Sequence, residues 1–330
     1  MTDLPPASEP AHEKPTPWWL WPHVLGLETP LVAVLWQRML AHAHGIRLTP
    51  MLDAGLALAC WVVCVAGRTL DAFSAKTAAR PDPRHAFDHR HRCVVLLAVV
   101  PAALLALTWM ALYVIPEGVM WQALGLSLLV MLHLATWPDQ GGRGPRDFFI
   151  ACAGLGGILL ISLMPPPAGC RFVLSLILLG AMVLSLLRQI DIRLGRWLPE
   201  EFTAALIFAL GCGTSTRFLG MPETIRDPVL ECLLLTMLFA CHLHGITGRE
   251  KNTDRGHAPL MFGAAVFALA VRWLAGGGVL EHALRGPAQA VLGALALHML
   301  VHRAGKHLSA DACRVLADLA LILPLPLAWL

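Results

Sequence analysis

The sequence predicts an all-α, polytopic transmembrane protein, a helical bundle of about nine to eleven spans. Three observations support this prediction: the hydrophobic content, the length of the apolar runs and the placement of the basic residues. The 330-residue chain is 57% hydrophobic and only 14% charged, whereas a soluble domain carries roughly 25% charged residues. A globule of this size could not hide so much apolar surface from water, so an ordinary soluble enzyme is excluded.

Long apolar runs define the candidate membrane spans. A crossing helix needs about 20 mostly apolar residues, because its backbone polar groups must pair within the segment. Reading the runs between charged, Pro or Gly breaks gives eleven candidates. They are residues 26–44, 50–71, 93–115, 117–136, 147–164, 171–189, 202–218, 227–246, 258–275, 284–303 and 310–330. The last run contains Pro324 and Pro326, and is predicted to be kinked or short.

The domain organisation follows from the same runs. Residues 1–17 are Pro-rich and polar, which predicts a disordered cytoplasmic tail. Residues 18–330 are predicted to form a single transmembrane helical domain. Within it, the triplet Pro165-Pro166-Pro167 divides residues 147–189 into two spans joined by a tight turn, an inserted hairpin.

Basic residues orient the spans. The loops that follow even-numbered spans hold fifteen Lys and Arg, against five in the loops that follow odd-numbered spans. Basic loops stay in the cytoplasm. The N-terminus is therefore predicted to be cytoplasmic. We expect the protein to contact membrane lipid, and the family resemblance described below implies a bacterial inner membrane. The small net charge of +3 gives no indication of nucleic-acid binding.

The first concentration of polar residues lies where the second span ends. Arg68 and Asp71 are three residues apart and share a helical face. The predicted loop 72–92 follows, and it is rich in Arg and His, including Arg84, His85 and Arg92. Guanidinium and imidazolium groups donate hydrogen bonds to phosphate oxygens, so this segment is a candidate phosphate or diphosphate site. The alternative is a basic loop that fixes topology and contacts anionic lipid.

The second concentration of polar residues follows the eighth span. Residues 241–255 include His242, Arg249, Glu250, Lys251 and Asp254. On a continued helix, Glu250 and Asp254 would share one face and could bind Mg²⁺ through carboxylate oxygens. The alternative is a solvated loop of mixed charge. By loop parity both concentrations face the cytoplasm, so Asp71 is predicted to converge with Glu250 and Asp254 on one site.

Several stretches resemble those of a known family. They are residues 26–37 (Gly26 to Gln37), 68–71 (Arg-Thr-Leu-Asp), 84–87 (Arg-His-Ala-Phe), 89–92 (His-Arg-His-Arg) and 198–211 (Leu198 to Gly211). Together they resemble UbiA-type intramembrane prenyltransferases, and most closely a divergent bacterial branch of that family. The resemblance covers most of the chain, without a single decisive motif.

The resemblance implies an activity, a cofactor and a set of site residues. UbiA-type enzymes transfer a prenyl group from an isoprenoid diphosphate to an acceptor, with Mg²⁺ held by two acidic motifs at the cytoplasmic ends of spans. It implies catalytic roles for Asp71 and Arg68, and Mg²⁺ ligation by Asp71, Glu250 and Asp254. The residues implied in substrate binding are Arg84, His85, Arg92, His242, Arg249 and Lys251. The chain departs from the family pattern at Gly67, where an acid is expected, and by two extra spans in residues 147–189.

Two other functions remain open from the sequence. The incomplete acidic motif favours a non-catalytic protein that binds a lipid or isoprenoid, or that supports a partner complex. Histidine pairs near span ends favour a haem or metal protein, since neutral imidazole is a common metal ligand. The pairs are His42 and His44, His242 and His244, and His298 and His302. Only the last pair, four residues apart, shares a helical face.

Overall fold

The computed structural model describes residues 17–71, 83–136, 200–220, 226–250, 257–280 and 282–329. Every regular element in these ranges is helical. Residues 1–16 of the predicted tail and the whole predicted hairpin at 147–189 lie outside the described residues.

The described residues form eleven α-helices. In chain order they are α1 (Trp21–Leu25), α2 (Glu28–Ala43), α3 (Pro50–Asp71), α4 (Pro83–Val94), α5 (Val100–Tyr113), α6 (Glu117–Thr136), α7 (Glu200–Gly220), α8 (Arg226–Glu250), α9 (His257–Gly276), α10 (Arg285–Ala304) and α11 (Ala310–Ile322). A π-helical turn joins α4 to α5 at Val95–Val99, and 3₁₀ turns occur at Trp18–Leu20, His282–Leu284, Gly305–His307 and Leu325–Trp329.

Helix length and composition indicate an integral membrane protein. Six described helical segments are long and apolar enough to cross a bilayer. They are Pro50–Thr69, Arg90–Tyr113, Glu200–Gly220, Asp227–Arg249, His257–Gly276 and His282–Ala304. Trp18–Leu25 and Glu28–Ala43 together would make a seventh, although the two parts are bent by 76°. The prediction of an all-α transmembrane protein is confirmed at this level.

One predicted segment differs from the structure, and the predicted form of the last span agrees with it. Residues 72–92 were expected to be a loop, but α4 begins at Pro83 and runs through the basic residues into the third span. Proline is well suited to the first position of a helix, because that position needs no N–H donor. The last span is short, as its prolines predicted: α11 ends at Ile322, and a 3₁₀ turn covers Leu325–Trp329.

The first predicted span, 26–44, begins at a sharp turn between α1 and α2. Gly26 has φ +66°, a left-handed conformation that glycine adopts without a steric penalty. The Nη2 of Arg68, near the end of α3, donates to the carbonyl oxygen of Val24 at 2.6 Å. A helix end within a membrane leaves carbonyl groups that need partners. Arg68 donates to one of these carbonyl groups, that of Val24, and so holds the turn against α3.

The largest core lies among α2, α7, α8, α9, α10 and α11. Trp36 on α2 is fully buried and donates from its Nε1 to the carbonyl oxygen of Leu321 at 3.1 Å. Its ring centroid lies 6.0 Å from that of Phe239 on α8. Phe239 in turn contacts Phe208 on α7 edge to face, with centroids 4.7 Å apart. These aromatic contacts join four helices around one centre.

Ionisable side chains are paired at the far end of the bundle, where α2 ends and α3 and α8 begin. Asp53, on α3, accepts from the Nε of Arg38 at 2.8 Å and from the amide of the buried Gln37 at 3.1 Å. On α8, Glu231 is buried and lies 2.7 Å from the Nε2 of His44. These pairs compensate charged groups inside the bundle, where an unpaired charge is costly.

Candidate functional site

A polar cavity lies between the C-terminal parts of α8 and α10 and the N-terminal parts of α9 and α11. Its volume is about 240 Å³. Four histidines and two arginines line it among mostly small and apolar neighbours: His242, Arg249, His257, His298, His302 and Arg314. We refer to this space as the His–Arg cavity. The described side chains in its lining include no carboxylate.

The histidine rings form a connected group. The ring centroids of His242 and His298 lie 5.1 Å apart, and those of His257 and His302 lie 4.7 Å apart. The ring of His244, also on α8, stacks on that of His257, with centroids 6.1 Å apart. His298 and His302 stand one turn apart on α10, so both point into the same space. Helices α8, α9 and α10 each contribute to this group.

Two buried imidazole nitrogens provide polar contacts that a ligand could use. His298 is 6% exposed, and its Nε2 has no hydrogen-bond partner among the described residues. The Nδ1 of His242 is also buried without a hydrogen-bond partner among the described residues. Buried polar atoms are normally hydrogen-bonded, and an exception calls for an explanation such as an ion, a ligand or water. The cavity is therefore a site where a polar ligand would satisfy groups that the protein does not.

The arginines stand at the edge of the cavity near the helix ends. Arg249 passes over Gly305, where a β-carbon would overlap its guanidinium group. Arg314 pairs with Asp311 one turn away, at 3.6 Å between Nη1 and Oδ1. Glycine at position 305 thus creates the space in which the Arg249 side chain lies.

A carboxylate group extends the polar region from His242 towards the turn between α1 and α2. The Nε2 of His242 lies 3.2 Å from Asp318 on α11. Asp318 also lies beside His23 and Glu28, which flank that turn. Because Arg68 binds the Val24 carbonyl in the same turn, residues near the ends of α3 and α8 reach one region of the bundle.

The predicted site residues fall into two groups. His242 and Arg249 line the cavity, and Arg68 binds the α1–α2 turn. Arg92 is partly exposed on α4. For the others the structure gives at most a backbone position. Asp71 is the last residue of α3 and Glu250 the last of α8, while Arg84 and His85 lie in the first turn of α4. Lys251 and Asp254 lie outside the described residues. The side chains of these six residues are not described, so the predicted meeting of Asp71, Glu250 and Asp254 stays a prediction.

Sequence reasoning missed His257 and the role of α9. His257 is the first residue of α9 and is 6% exposed. Its signal in the sequence was weak, since it follows a charged loop and stands alone. His298 and His302 were predicted only as a pair on one helical face, and their proximity to His242 was not predicted.

The described donors of the cavity suit an anion better than Mg²⁺. Magnesium takes oxygen ligands in octahedral geometry, whereas this lining offers imidazole and guanidinium nitrogens. Guanidinium groups and imidazole N–H groups donate hydrogen bonds to phosphate and carboxylate oxygens. His257 and Ala310, the first residues of α9 and α11, also line the cavity. Helix N-termini favour negative charge, so the geometry fits an anionic group.

Comparison of the chain with protein families, curated proteins and solved structures gave no match. The UbiA resemblance therefore rests on the sequence stretches alone.

Proposed function

We propose that this membrane protein binds an isoprenoid diphosphate, with the diphosphate in the His–Arg cavity and the prenyl chain along the apolar helices. The observation that supports the proposal is a lining of four histidines and two arginines, with no carboxylate among its described residues, at one end of the helical bundle. The distribution of basic residues predicts that this end is cytoplasmic, and we expect such a charged ligand to enter there.

The size of the cavity favours a head group over a whole ligand. Pockets that enclose a drug-sized molecule measure about 300–1,000 Å³, and this cavity measures about 240 Å³. The rest of an amphiphile would lie along the apolar surface outside it. Phe262 and Trp273, on the same helix as His257, are 70% and 75% exposed. Such lipid-facing side chains offer an apolar path for a hydrocarbon tail.

Transfer of the prenyl group is the further step that the UbiA resemblance supports. Departure of diphosphate develops negative charge, which cationic donors stabilise. In the cavity, Arg249 and Arg314 would hold the leaving diphosphate, while Mg²⁺ bound by Asp71, Glu250 and Asp254 would supply further charge neutralisation. Binding without transfer is the second candidate, and it is favoured by Gly67 in the place of an expected acid.

A binding experiment tests the proposal directly. The protein would be reconstituted in nanodiscs of zwitterionic lipid and titrated with farnesyl diphosphate and with farnesol, which lacks the phosphates. We expect the diphosphate to bind at least about tenfold more tightly, since charge-assisted hydrogen bonds contribute about 1.5–3 kcal/mol each and 1.4 kcal/mol is a factor of ten. Equal affinity for both ligands, or binding of neither, would refute the proposal.

Matched variants assign the effect to the cavity. Arg249→Gln should weaken diphosphate binding about tenfold and leave farnesol binding unchanged. Arg303→Gln is the control, because Arg303 is exposed at the same end of α10 and does not line the cavity. Adding Mg²⁺ and a phenolic acceptor separates the two candidates: a prenylated product indicates transfer, and binding without product indicates the non-catalytic protein.

A second variant removes the space that Arg249 occupies and leaves its charge intact. Gly305→Ala places a methyl group where the guanidinium lies, so Arg249 must move. We expect about three- to tenfold weaker diphosphate binding, since a displaced charge-assisted hydrogen bond is lost in part. Thermal unfolding should change little, because a long side chain can relocate. Gly263→Ala is the control, since a β-carbon there meets nothing within 4 Å; an equal effect of both variants would argue against displacement of Arg249.

A further inference from the structure

A second polar group lies beside the His–Arg cavity. His23 on α1, Glu28 on α2 and Asp318 on α11 each offer one ligand atom, and these atoms all lie within 4.8 Å of one another. The Nδ1 of His23 lies 3.0 Å from Glu28 Oε1. Three separate helices therefore bring a nitrogen and two carboxylates to one point.

Burial makes this group costly without a cation. The side chains of His23, Glu28 and Asp318 are 7%, 16% and 16% exposed. The Oε2 of Glu28 is buried without a hydrogen-bond partner among the described residues. Two nearby carboxylates repel each other in such surroundings unless a positive charge lies between them. A divalent ion would neutralise both at once.

The ligand types select a class of metal. One imidazole and two carboxylates are ligands that Zn²⁺ and its first-row neighbours accept, with metal–ligand bonds of about 2.0–2.2 Å. Atoms bound to one such ion lie at most about 4.4 Å apart, so a spread of up to 4.8 Å closes with small side-chain movements. Three protein ligands leave an open coordination position.

A neighbouring side chain, that of His242, contacts one of the three ligands. The Nε2 of His242 lies 3.2 Å from Asp318 Oδ1, where an imidazole N–H can donate to the carboxylate. Metal-bound carboxylates are usually hydrogen-bonded by a neighbouring side chain that fixes their orientation. The side chain of His242 is 10% exposed, so it is held firmly enough to do this.

We propose that His23, Glu28 and Asp318 bind one divalent first-row transition-metal ion, with His242 orienting Asp318. This proposal does not depend on the binding of an isoprenoid diphosphate. The metal joins α1, α2 and α11, and it lies next to the wall of the His–Arg cavity.

The test measures metal in the purified full-length protein, reconstituted in detergent without chelator and dialysed against Zn²⁺. We expect elemental mass spectrometry to find about one equivalent of zinc per chain, since the group has a single set of three ligands. Binding of zinc should also raise the thermal midpoint of the metal-free protein, because a ligand that binds the folded state stabilises it. Less than about a tenth of an equivalent in wild-type protein would overturn the proposal.

Variants identify the ligands. Asp318→Asn and Glu28→Gln should each lower the zinc content at a fixed free zinc concentration and abolish the thermal shift. Glu231→Gln is the matched control, because Glu231 and His44 form another buried Glu–His pair, at 2.7 Å, that belongs to no three-ligand group among the described residues. This control should keep its zinc.

The outcomes remain decisive if one variant fails to fold. Glu28→Gln provides an independent loss-of-ligand measurement when Asp318→Asn cannot be purified, and wild-type stoichiometry needs no variant at all. Zinc that persists in both variants but is lost in His257→Gln would place the metal in the His–Arg cavity and would overturn the assignment. A chain that binds zinc but no diphosphate would refute only the proposed function.

Discussion

Replacing Trp36 by alanine is expected to destabilise the folded bundle by about 3 kcal/mol, the low end of the range for Trp→Ala in protein cores. Trp36 is fully buried, and its removal would empty the centre where α2, α8 and α11 meet. The low end applies because the unfolded helices contact lipid and not water, so the lost term is mainly van der Waals packing. The measurement is an unfolding titration with a denaturing detergent in mixed micelles.

Two further variants separate size from hydrogen bonding. Trp36→Phe keeps most of the ring volume but loses the bond to Leu321, which should cost about 1 kcal/mol. Trp273→Ala is the control, because Trp273 is 75% exposed on α9. If Trp273→Ala were as harmful as Trp36→Ala, burial in the core would not be the reason for the effect.

Replacing His44 by alanine is expected to destabilise the bundle by about 3 kcal/mol, the low end of the range for removing one partner of a buried ion pair. His44 lies 2.7 Å from Glu231, whose side chain is only 2% exposed. Without the imidazole, the carboxylate is left inside the bundle without this partner. The low end applies because the His44 side chain is itself 20% exposed. The same unfolding titration measures the effect.

The double variant His44→Ala with Glu231→Gln provides the control. Gln has nearly the shape of Glu but no charge, so the double variant should recover most of the stability that His44→Ala loses. A coupling of about 1–3 kcal/mol between the two positions is expected for a contacting pair. A double variant as unstable as His44→Ala alone would show that lost packing, not the uncompensated carboxylate, causes the effect.

The spans were predictable where apolar runs end in charged or turn-forming residues. The predicted span 50–71 matches α3, and the predicted 258–275 matches α9 to within a residue at each end. The predicted first span, 26–44, begins within two residues of α2, but the short helix α1 before Gly26 was not predicted. The helical form of the basic segment was missed for the opposite reason, since its charge density resembled a loop although Pro83 can begin a helix.

The candidate site was predictable only in part. His242 and Arg249 were found because polar residues cluster near the end of α8. His257 and His298 were not linked to them, since packing between helices that are apolar on most faces leaves little periodic signal. The carboxylate–histidine group of His23, Glu28 and Asp318 joins residues almost 300 positions apart, a distance that local spacing rules do not reach.

The 76° bend between α1 and α2 has a consequence for how the protein is positioned in the lipid. It directs the segment Trp18–Leu25 away from the axis of α2, with Trp18, Trp19 and Trp21 at 84%, 40% and 43% exposure. Indole rings prefer the headgroup layer of a bilayer. The three indoles therefore fix the immersion depth of the adjoining Gly26 turn, and with it how far below the water boundary the His23 side chain lies.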